Sequence, residues 1–215
     1  MLSALFEKRV EHLLERLIGL IVRRGVDPFL LSSIGLLINL GAALAFALGR
    51  LPVGGALVLA GGAFDLLDGP VARAAGKASD FGAFYDSCVD RCSDGAPLMG
   101  LLALYAQMRA TTLVILVGLA LLGALLIPYA RARAEALIER CNVGLMERPE
   151  RVLLLGMGGI FQILPLTLWI MTPLMYWTVA QRIHYTWRTL RSEAAEAQRV
   201  RETKVFDLRH WRTRR

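Results

Sequence analysis

The chain has 215 residues, 55% of them hydrophobic and 20% charged, with a formal net charge of +7 and a mean hydropathy of +0.49. A soluble domain of this length carries about 45–50% apolar and about 25% charged residues, whereas here the stretches 29–49 and 51–64 hold nothing ionisable. A water-soluble globule, a disordered chain and a collagen-like repeat are thereby excluded, and one membrane domain is the natural count.

In chain order, residues 1–26 place Leu2, Leu5, Phe6, Val10, Leu13, Leu14, Leu17, Ile18 and Ile21 at helical spacing, with Lys8, Arg9, Glu11, Glu15 and Arg16 opposite them. That pattern predicts an amphipathic helix lying in the membrane interface. Residues 27–191 read as a six-helix transmembrane domain, with spans at 28–48, 52–73, 82–107, 111–135, 151–168 and 171–190. Asp27 is placed to cap the first span and Pro28 to open it. Residues 192–215 read as a basic cytoplasmic tail. Ten arginines and lysines but only four acids follow Ala180, so that end of the chain carries +6 of the net charge. Beside a membrane helix such a stretch suits anionic lipid headgroups better than nucleic acid. The fold class is therefore all-α, six membrane helices preceded by an interfacial helix.

Loop charges set the orientation. The amino terminus, Arg73, Lys77, the arginines at 131, 133, 140, 148 and 151, and the carboxyl end fall on one side. Only Arg50, Arg109 and an uncharged turn near Thr172-Pro173 fall on the other. Both termini are expected in the cytoplasm, with the protein in the cytoplasmic (inner) membrane. Cys88, Cys92 and Cys141 are odd in number and read as reduced thiols. His12, His184 and His210 have no partner spacing for metal or triad chemistry.

Carboxylates inside membrane helices are costly and mark functional sites by default. Asp65 and Asp68 lie near the cytoplasmic end of the second span, and Asp86, Asp90 and Asp94 in the first half of the third. Spacings of three and four residues put each set on one helical face, and a short cytoplasmic loop lets the two faces meet. Carboxylates gathered in a poorly solvated place would repel one another unless a cation sits between them. Oxygen-only ligands favour Mg²⁺ or Mn²⁺ over Zn²⁺, and Mg²⁺ keeps part of its shell open for phosphate. The residues alone thus point to a metal–phosphate site at the cytoplasmic face of a helical bundle. Gly69, after Asp68, and Gly82, one turn before Asp86, are placed to let a ligand approach the backbone, whereas Gly61 and Gly62 read as helix packing.

The string Asp65-x2-Asp68-Gly69-x2-Ala72-Arg73-x8-Gly82-x3-Asp86-x3-Asp90 resembles the signature of the CDP-alcohol phosphatidyltransferases, with every specified position filled. The resemblance implies six membrane helices behind an interfacial amphipathic helix, a homodimer, and transfer of a phosphatidyl group from a CDP-linked lipid to an alcohol with release of CMP. It implies that Asp65, Asp68 and Asp86 hold two divalent ions, Mg²⁺ or Mn²⁺, with Asp90 near the second. Gly69, Ala72, Arg73 and Gly82, with Asp68, would shape the nucleotide pocket, and Ser32 would offer a hydroxyl from the first span. Asp90 is the candidate general base, accepting the acceptor's proton; its roles as base and as ligand are both open.

Two further stretches, 129–135 around Arg131 and Glu147-Arg148-Pro149-Glu150-Arg151, are similar to the phosphatidylinositol-phosphate synthase branch of that family, as is Asp90-Arg91-Cys92-Ser93-Asp94-Gly95. Arg131, Arg151 and Arg191, at the cytoplasmic ends of spans four, five and six, would form a phosphate pocket for the acceptor, expected to be inositol 1-phosphate. One departure is Arg131 itself, where the branch typically has lysine. The nearest alternative acceptor is glycerol 3-phosphate, giving phosphatidylglycerophosphate. An ion-coupled transporter would also carry intramembrane aspartates, but it gives no reason for the fixed glycine, alanine and arginine positions.

Overall fold

The computed structural model describes residues 28–76 and 79–212 together with Gly19; the side chains of Pro28, Asp68, Ala72, Glu193 and residues 196–212 lie outside the description. The expected interfacial helix over 1–26 and the cap at Asp27 also lie outside it. Six helices make up the described chain: α1 (Pro28–Ala47), α2 (Leu51–Ala74), α3 (Asp80–Gln107), α4 (Thr111–Glu135), α5 (Arg148–Ile160) and α6 (Leu164–Arg212). No strand occurs among the described residues.

Tight turns of one kind join most of them. At Gly49 the chain turns left-handed (φ +73°), and the Gly49 and Arg50 amides donate to the carbonyls of Phe46 and Ala45 at 2.9 Å each. This paired arrangement satisfies the orphan carbonyls of a helix end. The same pairing closes α3 at Arg109 (φ 54°) and α5 at Gln162 (φ 59°), two positions without a glycine. Ser79 caps α3, its Oγ accepting the Gly82 amide at 3.1 Å.

The turn at 161–163 corrects the expected boundary between the fifth and sixth spans. The sequence pattern places that turn near Thr172-Pro173, but both residues lie inside α6, which begins at Leu164. Helices of a membrane bundle tolerate an internal proline where neighbouring groups satisfy the freed carbonyl, and Pro70, Pro97 and Pro128 sit within α2, α3 and α4 likewise. The expected tail from 192 does not separate from α6 either, because the helix continues to Arg212. From Leu174 onward the chain contains neither glycine nor proline.

Glycines bring the helices together. A Cβ on Gly55 of α2 would lie 2.4 Å from the Gly156 carbonyl oxygen of α5, and one on Gly100 of α3 would lie 2.1 Å from the Ala43 oxygen of α1. Backbone thus rests on backbone, the usual means of helix association where lipid removes the hydrophobic drive. Gly61 and Gly62 pack against Asn39 and Val152, as expected. The main core joins Phe46, Val58, Leu101, Val117, Leu164, Leu168, Met171 and Met175.

The outer surface is apolar. Leu37, Leu40 and Leu44 on α1, Leu48 in the turn after it, Ile115, Leu119, Leu122 and Leu125 on α4, and Leu166, Trp169, Ile170 and Trp177 on α6 are exposed. Water does not accept so continuous an apolar face on a monomer, and lipid does. Three helical stretches, Phe29–Ala47, Leu51–Val71 and Thr111–Glu135, are long and apolar enough to cross a bilayer. The molecule is an integral membrane protein.

Candidate active site

One end of the bundle gathers the second half of α2, the first half of α3, the last turn of α4 and the start of α5. Asp90 and Asp94 stand one turn apart on α3, and Asp65 faces them from α2. All three converge on one guanidinium, that of Arg148 at the first residue of α5. Its Nη2 donates to Asp65 Oδ2 at 2.5 Å, its Nη1 to Asp90 Oδ1 at 2.5 Å and its Nε to Asp94 Oδ1 at 3.0 Å. Arg151, one turn on, donates to the other Asp94 oxygen and to the Met146 carbonyl. Arg91 flanks Asp90 at 3.6 Å. The Asp65 side chain is only 3% exposed.

Asp65 reaches this depth because α1 presents Gly35 to it. A Cβ there would lie 2.3 Å from Asp65 Oδ1, so the missing side chain is the carboxylate's seat. Asp86 is half-buried one turn before Asp90, and Asp68 lies on α2 with its side chain outside the described residues. Among the described residues no three His, Cys, Asp or Glu side chains form a ready metal cluster. The donor set nonetheless fits a hard cation. Acidic oxygens of two motif positions, on two helices, already face a single positive group, and the Gly35 seat holds one of them there.

The residues expected on the nucleotide side are placed as follows. Ser32 is buried in α1 at 4% exposure. Its neighbour Ser33 is hydrogen-bonded to the Tyr85 hydroxyl of α3 at 2.9 Å. Gly82 belongs to the α3 cap. Among the described residues, Arg73 Nη1 stands 3.6 Å from where a Gly69 Cβ would be. Arg73 is exposed, and the Ala72 side chain lies outside the described residues.

A basic group surrounds the 136–147 connection. Arg131 donates to Glu135 at 3.0 Å and to Asn142 at 3.2 Å, and Glu135 also accepts the Cys141 amide at 3.4 Å. Arg182 of α6, 2% exposed, donates to the carbonyls of Val143 at 2.9 Å and Ile127 at 2.6 Å and to Glu147 at 3.2 Å. The Met146 amide donates to Thr178 Oγ1 at 3.0 Å. Arg131 and Arg151 both stand close enough to act electrostatically on Arg182. Arg191 lies nine residues further along α6, about 13 Å by helical rise, with its guanidinium 5.5 Å from the Trp187 ring centroid. Arg148 and Arg182 are thus central residues that the sequence pattern does not assign to the site, while Asp94, read there as one of the acidic set, takes both Arg148 and Arg151 as partners. Arg148 carries a signal, since it belongs to the Glu147–Arg151 stretch; Arg182 carries none beyond its place in an apolar span. Cys88, Cys92 and Cys141 are free thiols.

The sequence pattern of the CDP-alcohol phosphatidyltransferase family matches residues 27–184, and the chain belongs to that family of membrane enzymes. Among its relatives is the archaetidylinositol phosphate synthase of Methanothermobacter thermautotrophicus, 35% identical over 80% of this chain and 93% of the relative. Another is the phosphatidylinositol phosphate synthase of Mycobacteroides abscessus, 36% identical over 76% of this chain and 79% of the relative. The fold matches the crystal structure of the Mycobacterium tuberculosis phosphatidylinositol phosphate synthase with CDP-DAG bound, at a TM-score of 0.73 and 32% identity, covering 82% of this chain and 94% of that one. A second structure of that enzyme, with manganese and citrate, matches at a TM-score of 0.72 and 34% identity over 80% of this chain and 88% of that one.

Proposed function

We propose that the protein transfers the phosphatidyl group of CDP-diacylglycerol to the hydroxyl of inositol 1-phosphate, giving phosphatidylinositol phosphate and CMP. The observation that carries this reading is the meeting of motif carboxylates from α2 and α3 beside an arginine-rich group contributed by α4, α5 and α6. The names of the similar synthases support an inositol phosphate as acceptor. Phosphate recognition by guanidinium groups is bidentate and charge-assisted, which suits a phosphorylated polyol and leaves an uncharged one poorly held.

In this reading Asp65, Asp68, Asp86 and Asp90 hold two divalent cations, Mg²⁺ or Mn²⁺, which supply charge neutralisation for the pyrophosphate and for the departing CMP. Gly69, Ala72, Arg73 and Gly82 give the nucleotide a close backbone approach, with Ser32 on the first-span side. Arg131, Arg151 and Arg191 hold the acceptor's phosphate and orient its hydroxyl. Asp90 takes the hydroxyl proton as that oxygen attacks the lipid-side phosphorus. The oxygen–phosphorus bond forms as the phosphorus–oxygen bond to CMP breaks. The helices form one membrane bundle, both termini and the site face the cytoplasm, and two copies assemble as a homodimer. α5, with 13 residues, is about 20 Å long and by itself falls short of the full crossing expected for the fifth span.

The test is an acceptor panel with purified full-length protein, CDP-diacylglycerol and Mn²⁺ or Mg²⁺, read by CMP release. Inositol 1-phosphate is expected to support turnover, and inositol and serine are not. Turnover with glycerol 3-phosphate alone would overturn the acceptor and leave the reaction class standing.

A further inference from the structure

Arg148 is bound to three aspartates at once, and two of them, Asp65 and Asp90, are positions of the family signature. We propose that Arg148 is a built-in placeholder cation: it neutralises the acidic cluster while divalent ions are absent and must leave Asp65 and Asp90 for those ions to load. The inference rests on the reading of Asp65 and Asp90 as metal ligands.

The geometry argues for exclusion rather than coexistence. Asp65 Oδ2 and Asp90 Oδ1 each face a guanidinium nitrogen at 2.5 Å. A small divalent ion binds such oxygens at about 2.1 Å, in the space those nitrogens fill. A dication there would also repel a guanidinium hydrogen-bonded to the same carboxylates. An ionised acid as secluded as Asp65, whose side chain is 3% exposed, is costly to hold without a cation beside it, and Arg148 supplies one. The placeholder removes that cost in the metal-free protein.

A route out is present in the same contacts. Arg148 meets Asp94 through Nε and the signature acids through its two terminal nitrogens, so rotation about the Asp94 contact frees Asp65 and Asp90 together. Asp94 is outside the signature and keeps Arg151 as a partner throughout. Arg148 is therefore a positioning residue that sets how readily ions load, by competing for their ligands. Linkage makes the competition reciprocal: whatever Arg148 gains from the acids, the ions lose in apparent affinity.

The experiment titrates Mn²⁺ into detergent-solubilised full-length protein, followed by electron paramagnetic resonance of the free ion, for the parent, Arg148→Gln and Arg148→Lys. Arg148→Gln is expected to bind Mn²⁺ at least roughly tenfold more tightly than the parent. Arg148→Lys is expected to bind more tightly by a smaller factor, because one ammonium cannot bridge three carboxylates; it carries the test if the glutamine variant does not fold. A merely structural role for Arg148 predicts unchanged or weaker binding. That result, with the parent binding Mn²⁺, would overturn the placeholder alone. Absence of Mn²⁺ binding in parent and variants would overturn it together with the ligand assignment of Asp65 and Asp90.

Discussion

At Gly35 a single absent methyl decides where a carboxylate can stand. The Cβ of an alanine there would meet Asp65 Oδ1 at 2.3 Å and Cγ at 3.3 Å, so the aspartate must withdraw or the helices must part. Gly35→Ala is expected to destabilise the protein by about 1–3 kcal/mol and to weaken Mn²⁺ binding, both read on purified protein. Gly41→Ala on the same helix is the control, since its Cβ would find only Leu57 Cδ1 at an ordinary 3.8 Å. Equal effects at the two positions would contradict the seat. The acids are legible as residues because charge inside an apolar run stands out. Gly35 is not, because a glycine that admits a carboxylate and a glycine that admits a neighbouring helix look the same along the chain.

Helix ends show the same limit one level up. Gly49 marks a boundary by its residue type alone, since a glycine beyond an apolar run supplies the left-handed residue such a turn requires. The turn at Gln162 uses that geometry without glycine. With no local marker there, the sequence pattern puts the boundary several residues later, at a proline that α6 absorbs. A non-glycine residue held left-handed costs on the order of 1 kcal/mol. Gln162→Gly is therefore expected to stabilise the protein by about that amount, raising Tm by roughly 2–4 °C for a chain of this size. A lowered Tm would show instead that the glutamine side chain makes contacts worth more than the backbone strain. The connection at 136–147 reads from the sequence as polar and long. What holds it is the reach of Arg182 from α6 to Val143, Ile127 and Glu147, which joins segments too far apart along the chain for any periodicity to connect.

Across the whole molecule, the burial pattern runs against that of a soluble protein: large apolar side chains face outward and charged ones cluster at one end. The protein is expected to remain in the membrane fraction through alkaline carbonate and high-salt washes and to come off with detergent. Release by carbonate would place it on the bilayer instead of in it. α6, with 49 residues, is about 70 Å long, roughly twice a hydrocarbon core, so its basic end must extend well beyond the bilayer as helix and not as a loose tail.

What the chain alone determined is the part governed by short-range pattern. Apolar runs specified a membrane bundle, and acids at helical spacing specified an acidic face, because both depend on residues within a turn or two of one another. Only the tertiary structure decided that Asp65, Asp90 and Asp94 converge on Arg148, where Asp65 finds room, and which arginines are sequestered. An arginine at the end of a membrane helix reads alike whether it meets lipid, substrate or three aspartates. The difference lies in helices from distant parts of the sequence arriving within hydrogen-bond reach of it.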